Sequence, residues 1–410
     1  MRGLVGGAAA LLGAALVSCG GGGGSPSGTS TTTPPPVTTA SNVVAIVVDG
    51  GPSSLPNPTV NTLYTTVTVC LPGSTTQCQT IDHIQVDTGS YGLRILASVL
   101  TLSLPATTAS DGNSLVECTQ FVDGYSWGPI ASADIQIGGE TASSVPVQVI
   151  GSSSFPNVPS ACSSAVNNPE DTVAQFGANG IIGIGVFEQD CGLGCATNTD
   201  AGYYYSCTPT ACAPVTAALT AQVLNPVPLF AADNNGTIIE LPSVADGGAA
   251  TVSGSLIFGI DTESNNASGT ETVLTVDPNQ GNFTTVFAAQ TLSSSFIDSG
   301  SDGLFFNDGS IPACSSSDFT GFYCPTGTES FTATLTGLNS VSASVSFGVG
   351  NAQNMADAAP TFTAFSTLAG SYSSSTTTFD WGLPFYFGRR VATAIELHSS
   401  SVGTGPYVAF

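Results

Sequence analysis

Two short segments of the chain carry an aspartate followed by a hydroxyl residue, a glycine and a serine. They run Asp87-Thr88-Gly89-Ser90 and Asp298-Ser299-Gly300-Ser301, and each follows an apolar stretch typical of a strand end. Two carboxylates held close together share one proton, because both cannot ionise at once. The ionised carboxylate can take a proton from a water molecule while the protonated one polarises a carbonyl group. The repeat therefore predicts two similar lobes, each contributing one aspartate to a shared site.

The small residues beside each aspartate have physical roles in such a site. Gly89 and Gly300 allow a tight backbone turn and leave room where the lobes meet. Ser90 and Ser301 are placed to hydrogen-bond the outer oxygens of the carboxylates, which favours the ionised form. An Asp-Ser-Gly turn is common by itself, so the prediction depends on the occurrence of both motifs.

The elements that must position these motifs are short strands. Segments rich in Val, Thr, Ile and Phe alternate with clusters of Gly, Ser, Asn and Pro, a pattern that predicts an all-β protein. One segment, 214–224, has helical character and ends before Asn225-Pro226. The predicted strands are 43–48, 63–69, 81–86, 133–137, 145–150, 254–260, 272–276, 283–288, 331–335 and 341–347.

The charge balance is strongly acidic. The sequence has four basic residues, none of them lysine, against 28 acidic ones, and its formal net charge is −24. We expect no nucleic-acid partner, because phosphate binding needs Lys and Arg. When the carboxylates are protonated, little positive charge remains to repel itself, which suits an enzyme that works at low pH. A compositional bias of exported proteins explains the balance equally well.

The N-terminal segment has the features of an export signal. A charged start and an apolar run lead to Leu16-Val17-Ser18-Cys19, which resembles a bacterial lipobox. We therefore expect a signal peptide over residues 1–18 and a lipid on Cys19. The alternative is an ordinary signal with an incidental cysteine. A tether rich in Gly, Ser, Thr and Pro is expected over 19–41, because such a composition cannot build a core.

The rest of the chain is long enough for two lobes of ordinary size. We expect an N-terminal lobe over 42–225, with a Cys-rich loop at 188–213, and a C-terminal lobe over 226–410.

The cysteines predict disulfides. The chain has 11 cysteines, and removal of Cys19 leaves an even number, as expected for an exported protein with disulfides. A zinc site among the four cysteines from Cys191 to Cys212 is the less favoured alternative. We expect no metal and no cofactor. Spacing predicts the pairs Cys70–Cys78 and Cys314–Cys324, a longer-range pair Cys118–Cys162, and two bridges of open pairing among Cys191, Cys195, Cys207 and Cys212.

Four landmarks in order make most of residues 60–410 similar to the pepsin-like aspartic proteases. The lipobox and the runs after Asp87 and around Trp381 also resemble a group of bacterial lipoproteins of unassigned function. The run from Trp381 to Arg390 stands where the family has a second hydrophobic-Gly strand, but it lacks the usual Leu-Gly-Asp. The landmarks are the Asp87 motif, the strand 133–139 after the family's flap, the hydrophobic-Gly strand 179–185, and the lobe opening 254–261 with the Asp298 motif.

The resemblance implies a bilobal all-β fold with a cleft between the lobes, and roles for several residues. The hydroxyls of Thr88 and Ser299 would reach the backbone of the opposite lobe, and Gly183 would let its strand pass beneath the first aspartate. The family's flap tyrosine falls on Phe121, with Tyr125 as a substitute.

The family also usually has Leu-Trp-Val where this chain has Leu93-Arg94-Ile95. We expect Arg94 to pair with a flap carboxylate such as Asp123, or to be an exposed residue at a strand end.

The resemblance also implies a function. The favoured expectation is a lipid-anchored aspartic endopeptidase that cleaves polypeptides at acid pH. It would need no metal or cofactor. The alternatives are an inactive pepsin-fold binding or structural lipoprotein and an unrelated all-β adhesin. We expect a monomer that meets the membrane only through its N-terminal lipid. It would be an exported bacterial protein of the periplasm, outer membrane or cell surface.

Overall fold

The computed structural model describes residues 40–164, 168–200, 202–372 and 375–410. The expected signal peptide, the lipidation site at Cys19 and most of the expected tether lie outside these residues. The described helices are short. None of them has the length and the apolar character required to cross a bilayer. The helices are α1 (Ser160–Ser163), α2 (Val173–Phe176), α3 (Leu193–Thr197) and α4 (Ala352–Ala358), with 3-10 turns at Leu219–Ala221, Val227–Leu229, Ser317–Phe319 and Leu383–Phe385.

Strands make up most of the ordered structure, as the frequent β-branched and aromatic residues predict. The first half of the chain contains β1 (Val43–Val48), β2 (Leu63–Cys70), β3 (Cys78–Asp87), β4 (Tyr91–Leu96), β5 (Ser114–Gln120), β6 (Tyr125–Ile137), β7 (Glu140–Ile150), β8 (Gly180–Ile184), β9 (Tyr204–Cys207) and β10 (Cys212–Pro214). The second half contains β11 (Gly236–Glu240), β12 (Val252–Phe258), β13 (Val273–Thr275), β14 (Phe283–Phe287), β15 (Gln290–Ile297), β16 (Leu304–Phe305), β17 (Glu329–Thr336), β18 (Ser342–Val349), β19 (Ala369–Gly370), β20 (Asp380–Trp381), β21 (Arg390–Ala394), β22 (Ser399–Ser400), β23 (Gly403–Thr404) and β24 (Tyr407–Ala409).

Two large sheets organise the described strands. The larger has 15 strands and includes all of β1 to β10 together with β11, β12, β13, β21 and β24. The smaller has seven strands, all from the second half of the chain. The two halves are joined where β1 pairs antiparallel with β12, from Val43 opposite Ile257 to Val48 opposite Val252. The sheet is therefore continuous from one lobe to the other.

The same local arrangement occurs once in each half, around each aspartate motif. β3 leads into the first motif, β4 leads out of it, and β8 lies between them, parallel to β3 and antiparallel to β4. In the second half, β15 and β16 flank β20 with the same two senses of pairing. This repeat and the strand content confirm the predicted all-β, bilobal, pepsin-like fold class.

Glycines allow the middle strand to pass beneath each aspartate motif. A Cβ on Gly183 would lie 2.2 Å from the backbone nitrogen of Tyr91, and a Cβ on Gly382 would lie 2.1 Å from the carbonyl oxygen of Gly303. Real Cβ atoms do not approach backbone atoms this closely, so both positions require glycine. Behind the second motif, the rings of Phe379 and Trp381 stack with centroids 3.9 Å apart, which fixes β20 in the core.

Five disulfides link the described cysteines. The three pairs predicted from spacing all form, and the group left open resolves into two short loops. The pairs are Cys70–Cys78, Cys118–Cys162, Cys191–Cys195, Cys207–Cys212 and Cys314–Cys324.

The predicted helix at 214–224 is wrong. The segment begins with the end of β10, and only Leu219–Ala221 forms a 3-10 turn. β10 pairs with β9 beside the Cys207–Cys212 bridge, and the next residues bond to distant carbonyls, with Ala217 N–H donating to Cys195 O at 3.0 Å. A helix of this length is marginal in water, so the tertiary bonds decide the conformation.

The expected pairing of Arg94 with Asp123 is also wrong. Arg94 is fully buried, and its guanidinium contacts Glu117 Oε1 at 2.7 Å and Asp190 Oδ2 at 3.3 Å. It also donates to Tyr91 O at 2.7 Å. Arg94 pairs with Glu117 because Glu117 lies in the middle of β5 with its side chain facing the interior. Asp123 lies in the turn beyond that strand. Arg94 therefore ties β4, β5 and the Cys-rich loop together.

Replacement of Arg94 should be strongly destabilising. Arg94→Met keeps most of the apolar stem but leaves two buried carboxyl groups without their cation, which typically costs about 3–5 kcal/mol. Arg390 pairs with Glu240 and Glu271 at a part-exposed site. Arg390→Met is the matched control and should lower the free energy of unfolding by less than about 1 kcal/mol. Urea unfolding measures both, and equal losses would contradict the buried network.

Candidate active site

The two aspartates meet at the junction of the lobes. Asp87 is the last residue of β3 and Asp298 directly follows β15, and both are 0% exposed. A Cβ on Gly89 would lie 2.6 Å from Asp298 Cγ, and a Cβ on Gly300 would lie 2.6 Å from Asp87 Oδ1. Each motif therefore places its glycine against the carboxyl group of the opposite lobe. The structure brings together the two aspartates that the sequence paired.

The hydroxyl residues cross between the lobes. Ser299 Oγ accepts from Thr88 N–H at 3.1 Å and donates to Val86 O at 2.8 Å. In return, Thr88 Oγ1 accepts from Ser299 N–H at 3.0 Å and lies 3.3 Å from Ile297 O. These reciprocal bonds satisfy buried backbone groups of both loops. They hold the two aspartates at one separation.

The inner oxygens of the two carboxyl groups have equivalent donors. Gly89 N–H donates to Asp87 Oδ1 at 2.6 Å, and Gly300 N–H donates to Asp298 Oδ1 at 2.7 Å. The two carboxyl groups lie close enough to shift each other's pKa. Two carboxylates at such a distance cannot both ionise readily, so the arrangement favours one proton held by the pair. Gly89 is part-exposed and marks where solvent approaches the pair.

The outer oxygens differ between the lobes. Ser301 Oγ lies 3.0 Å from Asp298 Oδ2 and only 2.6 Å from Oδ2 of a third buried carboxyl group, Asp380. In the other lobe, Ser90 Oγ and Asp87 Oδ2 are both buried, and neither has a hydrogen bond of good geometry among the described residues. The expected bond from the serine to the outer oxygen has good geometry for Ser301, and Ser90 lies close enough to Asp87 to lower the pKa of that carboxyl group through a side-chain hydrogen bond.

The contacts of Ser301 require a second proton at the site. A hydroxyl group carries one hydrogen, so it can donate to only one of the two carboxyl groups that it touches. The other contact needs a proton on Asp298 or Asp380. Asp298 receives a backbone N–H, whereas Asp380 Oδ1 is buried without a partner among the described residues, so Asp380 is the poorer site for a negative charge.

The pKa values follow from this crowding. Burial raises the pKa of Asp87, and burial together with the charges of Asp87 and Asp380 raises the pKa of Asp298 well above its usual range. Burial also raises the pKa of Asp380 well above its usual range, with smaller contributions from the charges of Asp302 and Asp87. The three carboxyl groups near Ser301 therefore retain protons to a higher pH than exposed aspartates do.

Two residues of the site were missed by the sequence prediction. Asp380 stands in β20, directly before the run from Trp381 to Arg390 that was assigned to the second hydrophobic-Gly strand, and a charge beside such an apolar run was an available signal. Tyr386 is fully buried and its hydroxyl lies 2.8 Å from Thr88 Oγ1. Nothing in the local sequence marks Tyr386, because its position depends on the packing of the 3-10 turn at Leu383–Phe385.

The expected flap corresponds to the hairpin of β5 and β6, whose turn is 121–124. Phe121 is buried and contacts Phe176, with ring centroids 6.2 Å apart. Tyr125 is also buried and belongs to a cluster with Trp127 and Cys118. In this conformation both rings contribute to packing within the N-terminal lobe. The tyrosine beside the aspartates is Tyr386, from the opposite lobe.

No trio of His, Cys, Asp or Glu within the described ranges has the geometry to hold a metal ion. The Cys-rich loop, for which zinc was the less favoured alternative, has its cysteines in disulfides.

The fold and the paired motifs define a pepsin-like, two-lobed β-protein. The sequence matches the family described as "Protein of unknown function (DUF3443)" over residues 38–410, and the chain belongs to that family. No curated protein matches the sequence. Among solved structures, the aspartic proteinase from Irpex lacteus is similar at 15% identity with a TM-score of 0.49, covering 90% of this chain and 96% of that chain.

Loss of one crossing hydroxyl should weaken the junction. Ser299→Ala leaves the buried N–H of Thr88 without its partner, at a cost of about 1–3 kcal/mol, and also removes the hydrogen bond to Val86 O. Ser342, whose hydroxyl bonds only to Thr336 on an exposed surface, is the matched control. Ser342→Ala should change the free energy of unfolding by less than about 0.5 kcal/mol. Denaturant unfolding of both variants tests this, and a neutral Ser299→Ala would contradict the role of the junction.

The raised pKa of Asp380 predicts that its contribution to stability is lost at higher pH. Below about pH 4 the carboxyl group is protonated in both the folded and the unfolded chain, so its contribution is fully present. As the pH rises toward the folded value, the unfolded chain releases a proton that the folded chain retains. The free energy of unfolding then falls by at most about 1.4 kcal/mol per pH unit for each such group.

Asp380→Asn should make that fall less steep, because an amide stays neutral. Urea unfolding between pH 4 and 8 measures the slope. Exposed Asp246 provides the control variant, Asp246→Asn, which should keep the wild-type slope. Identical slopes for Asp380→Asn and wild type would contradict the assignment of a retained proton to Asp380.

Proposed function

We propose that this protein is an aspartic endopeptidase that hydrolyses peptide bonds with Asp87 and Asp298. The observation that carries the proposal is the reciprocal arrangement of the two loops. Each aspartate lies against the glycine of the other loop, and Thr88 and Ser299 fix the separation. Two buried carboxyl groups that share a proton supply both a base and an acid at one point.

The reaction needs only these two groups and a water molecule. The ionised aspartate takes a proton from water, and the hydroxide that forms attacks the scissile carbonyl carbon. The protonated aspartate keeps its proton and donates a hydrogen bond to the carbonyl oxygen, which stabilises the negative charge of the tetrahedral intermediate. Collapse of the intermediate breaks the C–N bond, and a proton passes to the leaving amine. The pair then again holds one proton.

Asp380 and Ser301 assist this cycle through a chain of hydrogen bonds to Asp298. A protonated Asp380 donates to Ser301 Oγ, and the hydrogen of Ser301 is then directed to Asp298 Oδ2. A neutral Asp380 adds no charge to the pair, so the pair can carry its single negative charge. Asp380 is a positioning residue in this proposal, because it acts on the reacting carboxyl groups through Ser301.

The proposed setting is an acidic, oxidising exterior. Five disulfides favour an exported protein, since such bonds persist outside the reducing cytosol. Lipid anchoring through Cys19, a polypeptide substrate and a monomeric state remain parts of the proposal carried from the sequence. The formal charge of −24 favours work at low pH, where it is reduced by protonation.

A second candidate function is favoured by one observation. Asp87 and Asp298 have no exposed surface, and Phe121 at the base of the hairpin turn is packed into the core. A pepsin-like lipoprotein that binds a ligand without cleaving it would also tolerate such a closed site. The two candidates make different predictions for turnover.

Cleavage of an unfolded protein by the 42–410 fragment between pH 2 and 7 tests the proposal. Asp87→Asn and Asp298→Asn should each lower the rate by about 10²–10⁴-fold, the size of a general acid–base contribution. Asp246→Asn should retain the wild-type rate. If wild type and both site variants are folded and equally inert, the binding function is favoured instead.

A further inference from the structure

A cavity of about 360 Å³ lies between the two lobes, and its lining includes Asp302, the residue after the second aspartate motif. This volume falls in the range of about 300–1,000 Å³ that is common for small-ligand sites. The N-terminal lobe contributes residues 55–60, Thr62, Ala174, Gln175 and Gly177, and the C-terminal lobe contributes Asp318, Phe319 and most of α4. Its apolar wall includes Leu55, Phe319, Phe322, Met355, Phe362 and Leu368.

Hydrogen bonds across the lobes hold the cavity in shape. Asn61 is fully buried, and its Nδ2 donates to Asp302 O at 2.7 Å and to Phe365 O at 2.9 Å. Phe365 N–H donates back to Asn61 Oδ1 at 2.7 Å. The segment before β2 is therefore fixed to the C-terminal lobe, and the cavity is a built feature of the interface.

Asp302 gives the cavity a polar group without an internal partner. It lines the cavity, is 7% exposed, and its Oδ1 is buried with no hydrogen bond from the described residues. An unpaired buried carboxyl oxygen costs free energy unless a donor reaches it. Asp302 directly follows Ser301, which contacts Asp298, so one bound molecule can reach both the cavity and the aspartate pair.

The charges around the cavity are all of one sign. Asp318 and Asp357 also line it, and none of its lining residues is Lys, Arg or His. Burial raises the pKa of Asp302 well above its usual range, and the charge of Asp123 raises it further. The carboxyl group is therefore neutral until a cation binds beside it, and such a cation would lower its pKa and ionise it. An apolar wall that ends at a carboxyl group suits a ligand with an aliphatic stem and a cationic tip. Lys and Arg side chains have this form.

We propose that the cavity binds a lysine or arginine side chain of a polypeptide, with its aliphatic stem against the apolar wall and its cation on Asp302. The inference rests on the proposed function, because the same polypeptide must extend to Asp87 and Asp298. It assigns to the site a preference for basic residues. That preference fits an acidic chain whose cavity lining contains carboxyl groups and no basic residue.

Binding without turnover tests the inference directly. The probes are two acetylated, amidated, fluorescein-labelled hexapeptides that differ only in lysine or norleucine at one position, scanned along the peptide, in the Asp87→Asn background. At the best position, the lysine peptide should bind about tenfold or more tightly, since removal of a charged partner costs about 1.5–3 kcal/mol. Adding Asp302→Asn should reduce the preference to less than about twofold. Fluorescence anisotropy measures the dissociation constants.

Two controls separate this site from general attraction to an acidic protein. Adding Asp246→Asn removes one exposed carboxylate far along the sequence and should leave the lysine preference unchanged. Raising the salt concentration should weaken both peptides less than Asp302→Asn weakens the lysine peptide, because the contact with Asp302 is buried. A lysine preference that survives Asp302→Asn, or norleucine binding equal to lysine, overturns the inference.

Cleavage-site mapping with the active protein keeps the two proposals apart. Cleavage of a peptide library with lysine or arginine enriched at one position on one side of the cut supports both, provided that Asp302→Asn removes the enrichment. Cleavage without any basic preference keeps the proposed function and overturns the inference. Lysine-dependent binding by a protein that cleaves nothing keeps the inference and overturns the endopeptidase.

Discussion

The close approach of the two aspartate loops is the constraint on which the rest of the structure depends. A side chain at Gly89 or Gly300 would occupy the position of the opposite carboxyl group. The loops can come this close only because the strands beneath them also approach closely, at Gly183 and Gly382. The reciprocal bonds of Thr88 and Ser299 then satisfy the backbone groups that this approach buries. The long sheet through β1 and β12 brings the two lobes to the junction in a fixed relation.

Burial at the junction carries an electrostatic cost that the fold offsets only in part. Asp87 and Asp298 each receive one backbone N–H, but Asp380 receives only the contact with Ser301. Charged groups with so few donors in a low dielectric shift their pKa values until they are neutral. The cluster therefore stores protons. That is useful for acid–base chemistry and unfavourable for stability at high pH.

The features that depend on short segments of the chain could be predicted from the sequence. The two aspartate motifs, the strand at Val43–Val48 and the nearby cysteine pairs needed only local patterns. Arg94 was misassigned because two carboxylates lay within reach along the chain, and only the register of β5 decides that Glu117 faces inward. The helix at 214–224 failed for a related reason, because distant backbone partners outweighed local propensity. Asp380 and Tyr386 reach the site through packing, which a local pattern does not encode.

The surroundings of the two aspartates break the symmetry of the repeat. In β20, Asp380 stands two residues before Gly382; in β8, the corresponding residue before Gly183 is the buried Ile181. The first aspartate thus has an apolar residue and Ser90 beside it, whereas the second has Ser301 and a third carboxyl group. Asp302 adds a further buried carboxyl to the same lobe. The C-terminal lobe therefore supplies most of the titratable groups around the pair. The two aspartates therefore have different electrostatic surroundings, although the two loops have nearly the same sequence.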